Sequence, residues 1–308
     1  MWTKRAVAPG FDLFGFGIVA VDDIVELDQF PVAGGKQRYQ RLHRHPGGIT
    51  GTALVAAARL GARCLYGGNL GRGELASFIR TSLTAEGIEV LTPQHAPDAR
   101  PYHSIILVER ATGERTILDS NAGVVAHTED SLPAEWVTSA RGLFLDWLGI
   151  PAGIAAARIA RTHGIPVFSD MESVAEDGRL ELLALTDHLI VPLSFATSLS
   201  GEGTPERALQ ALARSARACT AVTDGPRGVW FTADGVNVQH QPAFAVEAVD
   251  TTGCGDVFHG AYAAAILAGE NIPSSIRFAA AAAALKATQP GGQAGIPSRA
   301  RVEAMLTQ

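Results

Sequence analysis

The chain has 308 residues, of which 47% are hydrophobic, and a formal net charge of −6 at pH 7. That length is enough to bury a substantial core in one large domain or two small ones. The sequence has no long block of Lys and Arg, and an apolar run such as residues 279–285 is far too short to cross a bilayer. We therefore expect a small molecule as the partner, and neither nucleic acid nor a membrane.

Cys64, Cys219 and Cys254 are the three cysteines, an odd number with no close pair in the sequence. Such a set favours free thiols in a reducing compartment over a disulfide framework. Near the N-terminus, residues 9–12 (Pro-Gly-Phe-Asp) interrupt the continuous apolar segment that a signal peptide requires. We therefore expect a cytoplasmic protein.

The first strand-like run, residues 13–20, contains Gly15-x-Gly17-x-x-Ala20, a spacing also found in the phosphate-binding turn of dinucleotide folds. That turn requires a helix directly after the glycines. Residues 21–27 continue in β-like character instead. We therefore do not expect a dinucleotide site, and a dehydrogenase is the weaker interpretation.

Asp22 falls where this first strand is expected to end. Open α/β sheets bind ligands just beyond the carboxyl ends of their strands, where a carboxylate can accept hydrogen bonds from sugar hydroxyls. The competing interpretation is a solvated turn residue, which we adopt for the neighbouring Asp23. Residues 24–45 are rich in basic and poor in large apolar side chains, which indicates a hairpin that projects over the site.

Gly47 and Gly48 precede an Ala-rich helix that ends at Gly61. Glycines at this point let the backbone approach a ligand closely, although they also fit an ordinary loop. Residues 102–108 and 114–118 predict a second hairpin. The two hairpins together predict a small β-sheet.

From residue 140 onward, short apolar runs alternate with helical segments. Strands are predicted at residues 142–146, 166–170, 188–192 and 219–223, and helices at 151–163, about 178–185 and 205–217. This βαβ rhythm is typical of a mainly parallel sheet covered by helices on both faces.

Residues 250–258, Asp-Thr-Thr-Gly-Cys-Gly-Asp-Val-Phe, lie between two predicted elements, a strand at 244–249 and a helix at 257–267. Gly253, Cys254 and Gly255 then lie where the free N–H groups of the first helical turn converge, and such amides form a cradle for phosphate. Asp256 has two interpretations on this pattern alone. It caps the helix, or it takes a proton from a substrate hydroxyl that attacks a phosphoryl group held by the amides.

The stretch 250–258 resembles the C-terminal signature of the ribokinase, or PfkB, family of carbohydrate kinases, and only Cys254 departs from the usual Asp-Thr-x-Gly-Ala-Gly-Asp-x-Phe. Residues 47–61 resemble the N-terminal signature of that family, with Thr52 in place of its usual Asn. The run from Thr223 to Gly228 resembles the family's nucleotide loop, Thr-x-Gly-x-x-Gly.

Two further segments, residues 239–244 and 284–297, look especially similar to sulfofructose-kinase-like members of the family. The resemblance as a whole covers nearly the entire chain. It implies one ribokinase-like domain over residues 1–308, a three-layer α/β fold with a mainly parallel central sheet. It also implies a small β-sheet lid from about residues 23–46 and 99–121, through which many family members form homodimers.

The resemblance further implies ATP-dependent phosphorylation of a hydroxyl of a sugar or sugar derivative, with Asp256 as the general base. The anion hole would consist of Gly253, Cys254 and Gly255; the nucleotide would contact Thr223, Gly225 and Gly228; and the acceptor would contact Asp22, Gly47, Gly48 and Thr52. Within the same family, a nucleoside or a sulfosugar remains an alternative acceptor. A non-catalytic sugar-binding protein is the alternative from another class.

Family kinases use Mg²⁺ with ATP, and many have a metal-linked Asn-x-x-Glu motif that residues 192–196 (Pro-Leu-Ser-Phe-Ala) lack. Asp170 and Glu172 are the acidic alternatives. Some relatives are activated by K⁺, held by groups that correspond here to Asp250, Thr252, the backbone of Lys286, and Gly291. A side-chain hydroxyl that some members contribute to this cation is absent, because Gly295 stands at its position.

Overall fold

The structure is a computed structural model, and it describes residues 10–91, 96–172 and 177–307. The strands in these ranges are β1 (Phe11–Phe16), β2 (Ala20–Leu27), β3 (Arg41–Gly47), β4 (Cys64–Gly67), β5 (Glu89–Leu91), β6 (Tyr102–Glu109), β7 (Arg115–Ser120), β8 (Ala140–Leu145), β9 (Val167–Asp170), β10 (His188–Pro192), β11 (Cys219–Thr223), β12 (Val229–Thr232) and β13 (Gln239–Gln241).

The helices in the same ranges are α1 (Ile49–Arg59), α2 (Glu74–Ala85), α3 (Ala134–Thr138), α4 (Ile150–Thr162), α5 (Arg179–Leu185), α6 (Leu193–Ser200), α7 (Pro205–Leu212), α8 (Cys254–Leu267), α9 (Ile272–Ala287) and α10 (Arg299–Leu306). Two of them begin at side-chain caps: Thr204 accepts a hydrogen bond from the amide of Arg207, and Asn271 accepts one from the amide of Ser274. Proline in the first turn of each suits a helix start.

The large sheet has the strand order β13-β12-β11-β10-β9-β8-β1-β4-β5. Its strands pair in parallel from β5 to β11, whereas β12 and β13 are antiparallel at one edge. Helices cover both faces of a parallel sheet, so its strands are apolar on both faces. Successive residues of one strand therefore pack against helices on opposite faces. Phe144 and Ile190 pack in the core with α1, α2, α8, α9 and α10, while Leu143 and Leu189 pack with α3 to α7. The predicted three-layer α/β fold is confirmed.

The small sheet has the strand order β3-β2-β6-β7. It is separate from the large sheet and is built from the two predicted hairpin segments, with β2 and β6 parallel to each other and antiparallel partners on either side. The chain enters it directly after β1, since β2 begins at Ala20. A strand rather than a helix therefore follows Gly17.

Three local predictions are wrong. Residues 244–249 are irregular rather than a strand, because the amide of Val249 donates to the carbonyl of Ala287 at the end of α9 and not to a neighbouring strand. The helix predicted over 205–217 ends at Leu212, where Ala213 adopts an extended backbone. Asp22 is not at the end of the first strand, because β1 ends at Phe16 and Asp22 lies within β2.

The helix predicted over 257–267 begins earlier, at Cys254, so that Cys254, Gly255 and Asp256 all lie in the first turn of α8. In the part of the chain that the structure describes, no helix has both the length and the apolar character needed to span a bilayer.

Candidate active site

The N-terminus of α8 exposes backbone amides at the carboxyl end of the central sheet. Gly253 is the N-cap and has φ 73°, a left-handed conformation that favours glycine. A Cβ at Gly253 would also lie 3.1 Å from the carbonyl oxygen of Gly292, whereas a Cβ at Gly255 would have no neighbour within 4 Å. The amides of Gly255 and Asp256 have no acceptor among the described residues, as expected for the first turn of a helix. The site can therefore hold an anion at this point.

Cys254 contributes less to this cradle than the sequence predicts. Its amide donates to the carbonyl of Thr251 at 3.2 Å, so it is already engaged. Its thiol donates to the carbonyl of Ala283 in α9 at 3.6 Å. Burial raises the pKa of the thiol, so Cys254 carries no thiolate nucleophile at neutral pH.

Asp256 lies in the first turn of α8 beside two other carboxylates. One carboxylate oxygen each from Asp170, Glu172 and Asp256 lie within 4.8 Å of one another. Burial and then the negative charges of Asp170 and Glu172 raise the pKa of Asp256 well above its usual range. A carboxylate with a raised pKa is a stronger base, which is the property that proton abstraction from an alcohol requires.

His259, one helical turn after Asp256, was not identified from the sequence. Its Nδ1 lies 2.8 Å from the carbonyl of Gly255 and 3.0 Å from Oδ2 of Asp170, and its Nε2 lies 3.0 Å from the carbonyl of Ile190. Burial alone would lower the pKa of His259, but Asp170 and the two carbonyls outweigh it and raise the pKa to about 9. The ring is therefore an imidazolium, since both nitrogens face acceptors.

The predicted nucleotide loop lies at the carboxyl end of β11. Thr223 is the last residue of that strand, and Gly225 has φ 51° and opens a single 3-10 turn. Gly228 has φ 97°, and a Cβ there would collide with the carbonyl of Gln241 in β13. Glycine at 228 is thus required by the turn itself, while the open space around Gly225 leaves that residue free to contact a ligand.

The predicted acceptor residues meet where β2 and β3 enter the small sheet. A Cβ on Gly47 would overlap the carboxylate of Asp22. Gly48 has φ 88°, and a Cβ there would lie 2.6 Å from both the carbonyl oxygen of Ile18 and the Cα of Val19. At both positions, glycine therefore leaves room for other parts of the same chain to pack closely against the backbone. Burial raises the pKa of Asp22, although a hydrogen bond to Ser104 and the charge of His45 act in the opposite direction.

Thr52, predicted to contact the acceptor directly, is only 1% exposed in α1. Its hydroxyl accepts a hydrogen bond of 3.2 Å from Nε2 of Gln293. Thr52 is thus placed to orient Gln293, a residue that the sequence did not single out.

Asp146, immediately after β8, also escaped sequence reasoning. Its Oδ2 accepts hydrogen bonds from the amide of Ile18 at 2.6 Å and from the hydroxyl of Thr50 at 2.7 Å, and its Oδ1 accepts one from the amide of Leu148 at 2.8 Å. Burial raises its pKa to about 6. Asp146 therefore holds the segment between β1 and β2, which connects the large sheet to the small sheet.

The four groups predicted to hold a monovalent cation come together, and cationic side chains of the protein already lie among them. Oδ1 of Asp250 accepts from the amide of Thr252 and Oδ2 from the amide of Gly291, both at 2.8 Å. The fully buried Lys286 donates from Nζ to the carbonyl of Asp250 at 2.8 Å. Arg115 of β7 donates to the hydroxyl of Thr252 at 2.7 Å. Two cationic side chains, Lys286 and Arg115, therefore already contact the residues predicted to bind K⁺.

Comparison with known proteins agrees with this geometry. The family model for pfkB family carbohydrate kinases matches residues 14–299. The chain is 29% identical over 301 residues to the ribokinase of Bacillus subtilis (strain 168), an alignment that covers 94% of this chain and 98% of that protein.

Two solved structures share the fold at 24% identity. The ribokinase of Arabidopsis thaliana, complexed with ribose and ATP, superposes with a TM-score of 0.83 and covers 98% of this chain and 100% of its own. The ribokinase of Thermotoga maritima superposes with a TM-score of 0.81 and covers 97% of this chain and 100% of its own. Since the family match spans most of the sequence, the chain belongs to the pfkB family and is an ATP-dependent carbohydrate kinase.

Proposed function

We propose that the protein transfers the terminal phosphoryl group of ATP to a hydroxyl of a sugar or sugar derivative, with Asp256 as the general base. The observation that carries this proposal is the position of Asp256 in the first turn of α8, directly beside the unpaired amides at Gly255 and Asp256. An anion site and a strong base are thereby joined on one rigid element. The deprotonated hydroxyl and the phosphoryl group must meet at such a point.

In this mechanism Asp256 accepts the proton of the acceptor hydroxyl, whose oxygen attacks the terminal phosphoryl group of ATP as the bond to the bridging oxygen breaks and ADP leaves. The amides at Gly253 and Gly255 donate hydrogen bonds to the phosphoryl oxygens, on which negative charge accumulates. The Cys254 amide donates to the Thr251 carbonyl, and it must break that hydrogen bond before it can donate to the phosphate. Thr223 and Gly225 contact the nucleotide, and Gly228 holds the loop in its turn.

On the acceptor side we propose that Asp22 accepts hydrogen bonds from sugar hydroxyls at the junction formed by Gly47 and Gly48, while Thr52 acts through Gln293. The small sheet serves as a lid, because Arg115 already reaches from β7 to Thr252 at the start of the α8 loop. Closure of such a lid excludes water, which otherwise competes for the phosphoryl group.

Mg²⁺ supplies charge neutralisation at the ATP phosphates in this class of reaction. The carboxylates of Asp170 and Glu172 offer it the hard oxygen donors that it prefers. The proposed mechanism does not require K⁺, because Lys286 and Arg115 already provide positive charge around Asp250. The three free thiols and the use of ATP favour the cytoplasm.

Replacing Asp256 with Asn tests the assignment of the base. We expect kcat to fall by about 10²- to 10⁴-fold, the usual contribution of a general base, while the affinity for ATP measured by calorimetry stays nearly unchanged. Asp130→Asn, the same substitution at an exposed residue, is the control and should keep wild-type turnover. Retention of turnover by Asp256→Asn would overturn the base assignment.

ADP release measured across ribose, hexoses, keto-deoxy acids, sulfosugars and nucleosides identifies the acceptor class. Release with a neutral sugar supports the proposed function, while release only with a sulfosugar or only with a nucleoside selects the corresponding alternative. A ligand that binds tightly without any ADP release would instead identify a sugar-binding protein.

A further inference from the structure

The segment that carries the metal-linked glutamate in many family members has no acidic residue here. Pro192 ends β10, and Leu193–Ala196 form the start of α6. Phe195 is 2% exposed in the apolar core between the sheet and its helices. A divalent cation near the ATP phosphates must therefore find its protein ligands on another element.

Three carboxylates on neighbouring elements meet at the carboxyl end of the parallel strands. Asp170 is the last residue of β9, Glu172 follows two residues later, and Asp256 comes from the first turn of α8. One oxygen from each lies within 4.8 Å of the other two. Mg²⁺ keeps several of its waters and uses only one or two carboxylates together with substrate phosphates, so a cluster of this spacing suits it.

Asp170 is the member of this cluster that demands an explanation. It is only 1% exposed, yet neither of its carboxylate oxygens accepts a well-directed hydrogen bond from the described residues. The nearest donor, Nδ1 of His259, lies 3.0 Å from Oδ2 but is also shared with the carbonyl of Gly255 at 2.8 Å. A buried carboxylate with unused lone pairs is costly unless it is paired or binds a cation.

The three carboxylates lie beside the anion cradle of α8, so a phosphate group bound there would be repelled by any of them that is ionised. A divalent cation between the carboxylates and the phosphate would remove this repulsion.

We propose that Asp170 and Glu172 hold the divalent cation of the nucleotide in place of the missing Asn-x-x-Glu glutamate. Asp256 then stays available to accept the proton of the acceptor hydroxyl. His259 keeps Asp170 in position through its contact with Oδ2. This inference rests on the proposed function for the identity of the bound phosphate.

Mn²⁺ binding tests the site without any sugar. Free Mn²⁺ is followed by electron paramagnetic resonance while the full chain is titrated, alone and with a non-hydrolysable ATP analogue. We expect Glu172→Gln to weaken Mn²⁺ binding by about tenfold or more, the usual effect on metal affinity of altering a site's immediate surroundings. Glu270→Gln, the same change at an exposed residue after α8, should bind Mn²⁺ like wild type.

Glu172 is the main variant because its side chain is exposed, so the fold should survive the change. Asp170→Asn is the second variant, and its thermal unfolding curve shows whether it is folded. Wild-type Mn²⁺ affinity in folded Glu172→Gln and Asp170→Asn would overturn the inference. So would a failure of the wild type to bind Mn²⁺ in the presence of the analogue.

Turnover measured against Mg²⁺ concentration separates this inference from the proposed function. We expect Glu172→Gln to need about tenfold more Mg²⁺ for half-maximal turnover, with kcat recovering at saturation. If turnover proceeds and the Mg²⁺ requirement is unchanged, the site is wrong and the function stands. If no acceptor is phosphorylated but Mn²⁺ binding depends on Glu172, the site stands and the function is wrong.

Discussion

Two buried histidines differ in protonation because their neighbours differ: one ring is charged and the other is neutral. His259 faces two carbonyls and the carboxylate of Asp170, which raise its pKa to about 9 against the effect of burial. His188 stacks on Phe168 with ring centroids 4.5 Å apart, and its Nδ1 lies 2.9 Å from the hydroxyl of Tyr262. Burial lowers the pKa of His188 to about 4. His188 is therefore neutral at pH 7 and His259 is charged.

His188 should make the protein less stable in mild acid. The unfolded chain takes up a proton near pH 6.5, but folded His188 does so only near pH 4. Between these values the unfolded state binds more protons, so the free energy of unfolding falls as the pH falls, by about 2 kcal/mol between pH 7 and pH 5. His188→Gln keeps an acceptor for Tyr262 and does not titrate. Urea unfolding at several pH values should therefore show its stability falling less steeply than that of wild type.

The matched control is His163→Gln, because His163 is exposed at the end of α4. Its curve of stability against pH should run parallel to that of wild type. If the curve of His188→Gln is also parallel, His188 is not held neutral in the folded protein.

At the residue scale, the sequence predicts the part of the site that is local in the chain. Gly253, Gly255 and Asp256 are neighbours, so the signals for a helix start and an anion cradle could be read together. Asp146 and His259 were missed because their partners are distant: Asp146 bonds to Ile18, 128 positions away. Contacts of this kind are decided by the order of strands in the sheet, which the local pattern does not specify.

At the scale of elements, an ion-pair network ties the small sheet to α2. Arg44 of β3 donates to both carboxylate oxygens of Asp23, at 2.7 and 2.9 Å, and to Glu74 of α2 at 2.7 Å. Its guanidinium also lies 5.9 Å from the centroid of the Phe78 ring. The hydrogen bond from Arg44 lowers the pKa of Asp23 to about 2. Asp23 is thus a structural anchor, and the prediction that it is a solvated turn residue is wrong.

Arg44→Met should loosen this connection. Among the described residues, it leaves Asp23, which is 9% exposed, with His103 at 2.8 Å as the remaining side-chain hydrogen-bond partner. Bonds to charged groups contribute about 1.5 to 3 kcal/mol, and partial exposure of Arg44 reduces this, so we expect a loss of about 1 to 2 kcal/mol in urea unfolding. Arg41→Met is the control, because Arg41 is exposed on the same strand but forms no ion pair among the described residues. Equal stability of the two variants would contradict the anchoring role.

Element boundaries were predicted well where a strong local stop was present, and badly where a tertiary contact decided them. Helix α1 ends at Arg59, two residues before the predicted stop at Gly61, which has φ 106°. By contrast, the β-like residues 244–249 form no strand because the end of α9 supplies the acceptor for Val249. The helix after Thr204 stops early, and Arg217 turns back to donate to the carbonyl of Leu212 at 2.6 Å. Neither contact can be predicted from the local pattern of hydrophobic residues.

At the scale of the whole molecule, the small sheet has an uncovered edge. All six residues of β7, the edge strand, are exposed. Two of them are large and apolar: Ile117 is 51% and Leu118 is 54% exposed, and as sequence neighbours they face opposite sides of the sheet. Exposed apolar edge strands are templates for association. We therefore propose that a second copy of the chain covers this edge and forms a homodimer through the small sheet.

Replacing both Ile117 and Leu118 with Lys should dissociate that dimer, because charge is then introduced on both faces of the edge strand, whichever face the partner covers. Light scattering after size-exclusion chromatography should give twice the chain mass for wild type and the single-chain mass for the double variant. Leu180→Lys, at a 64% exposed residue of α5, is the control and should remain dimeric. If the wild type has the mass of a single chain at micromolar concentration, the edge of β7 is exposed to solvent and the proposed dimer is wrong. The proposed lid would then have to close over the site without support from a partner.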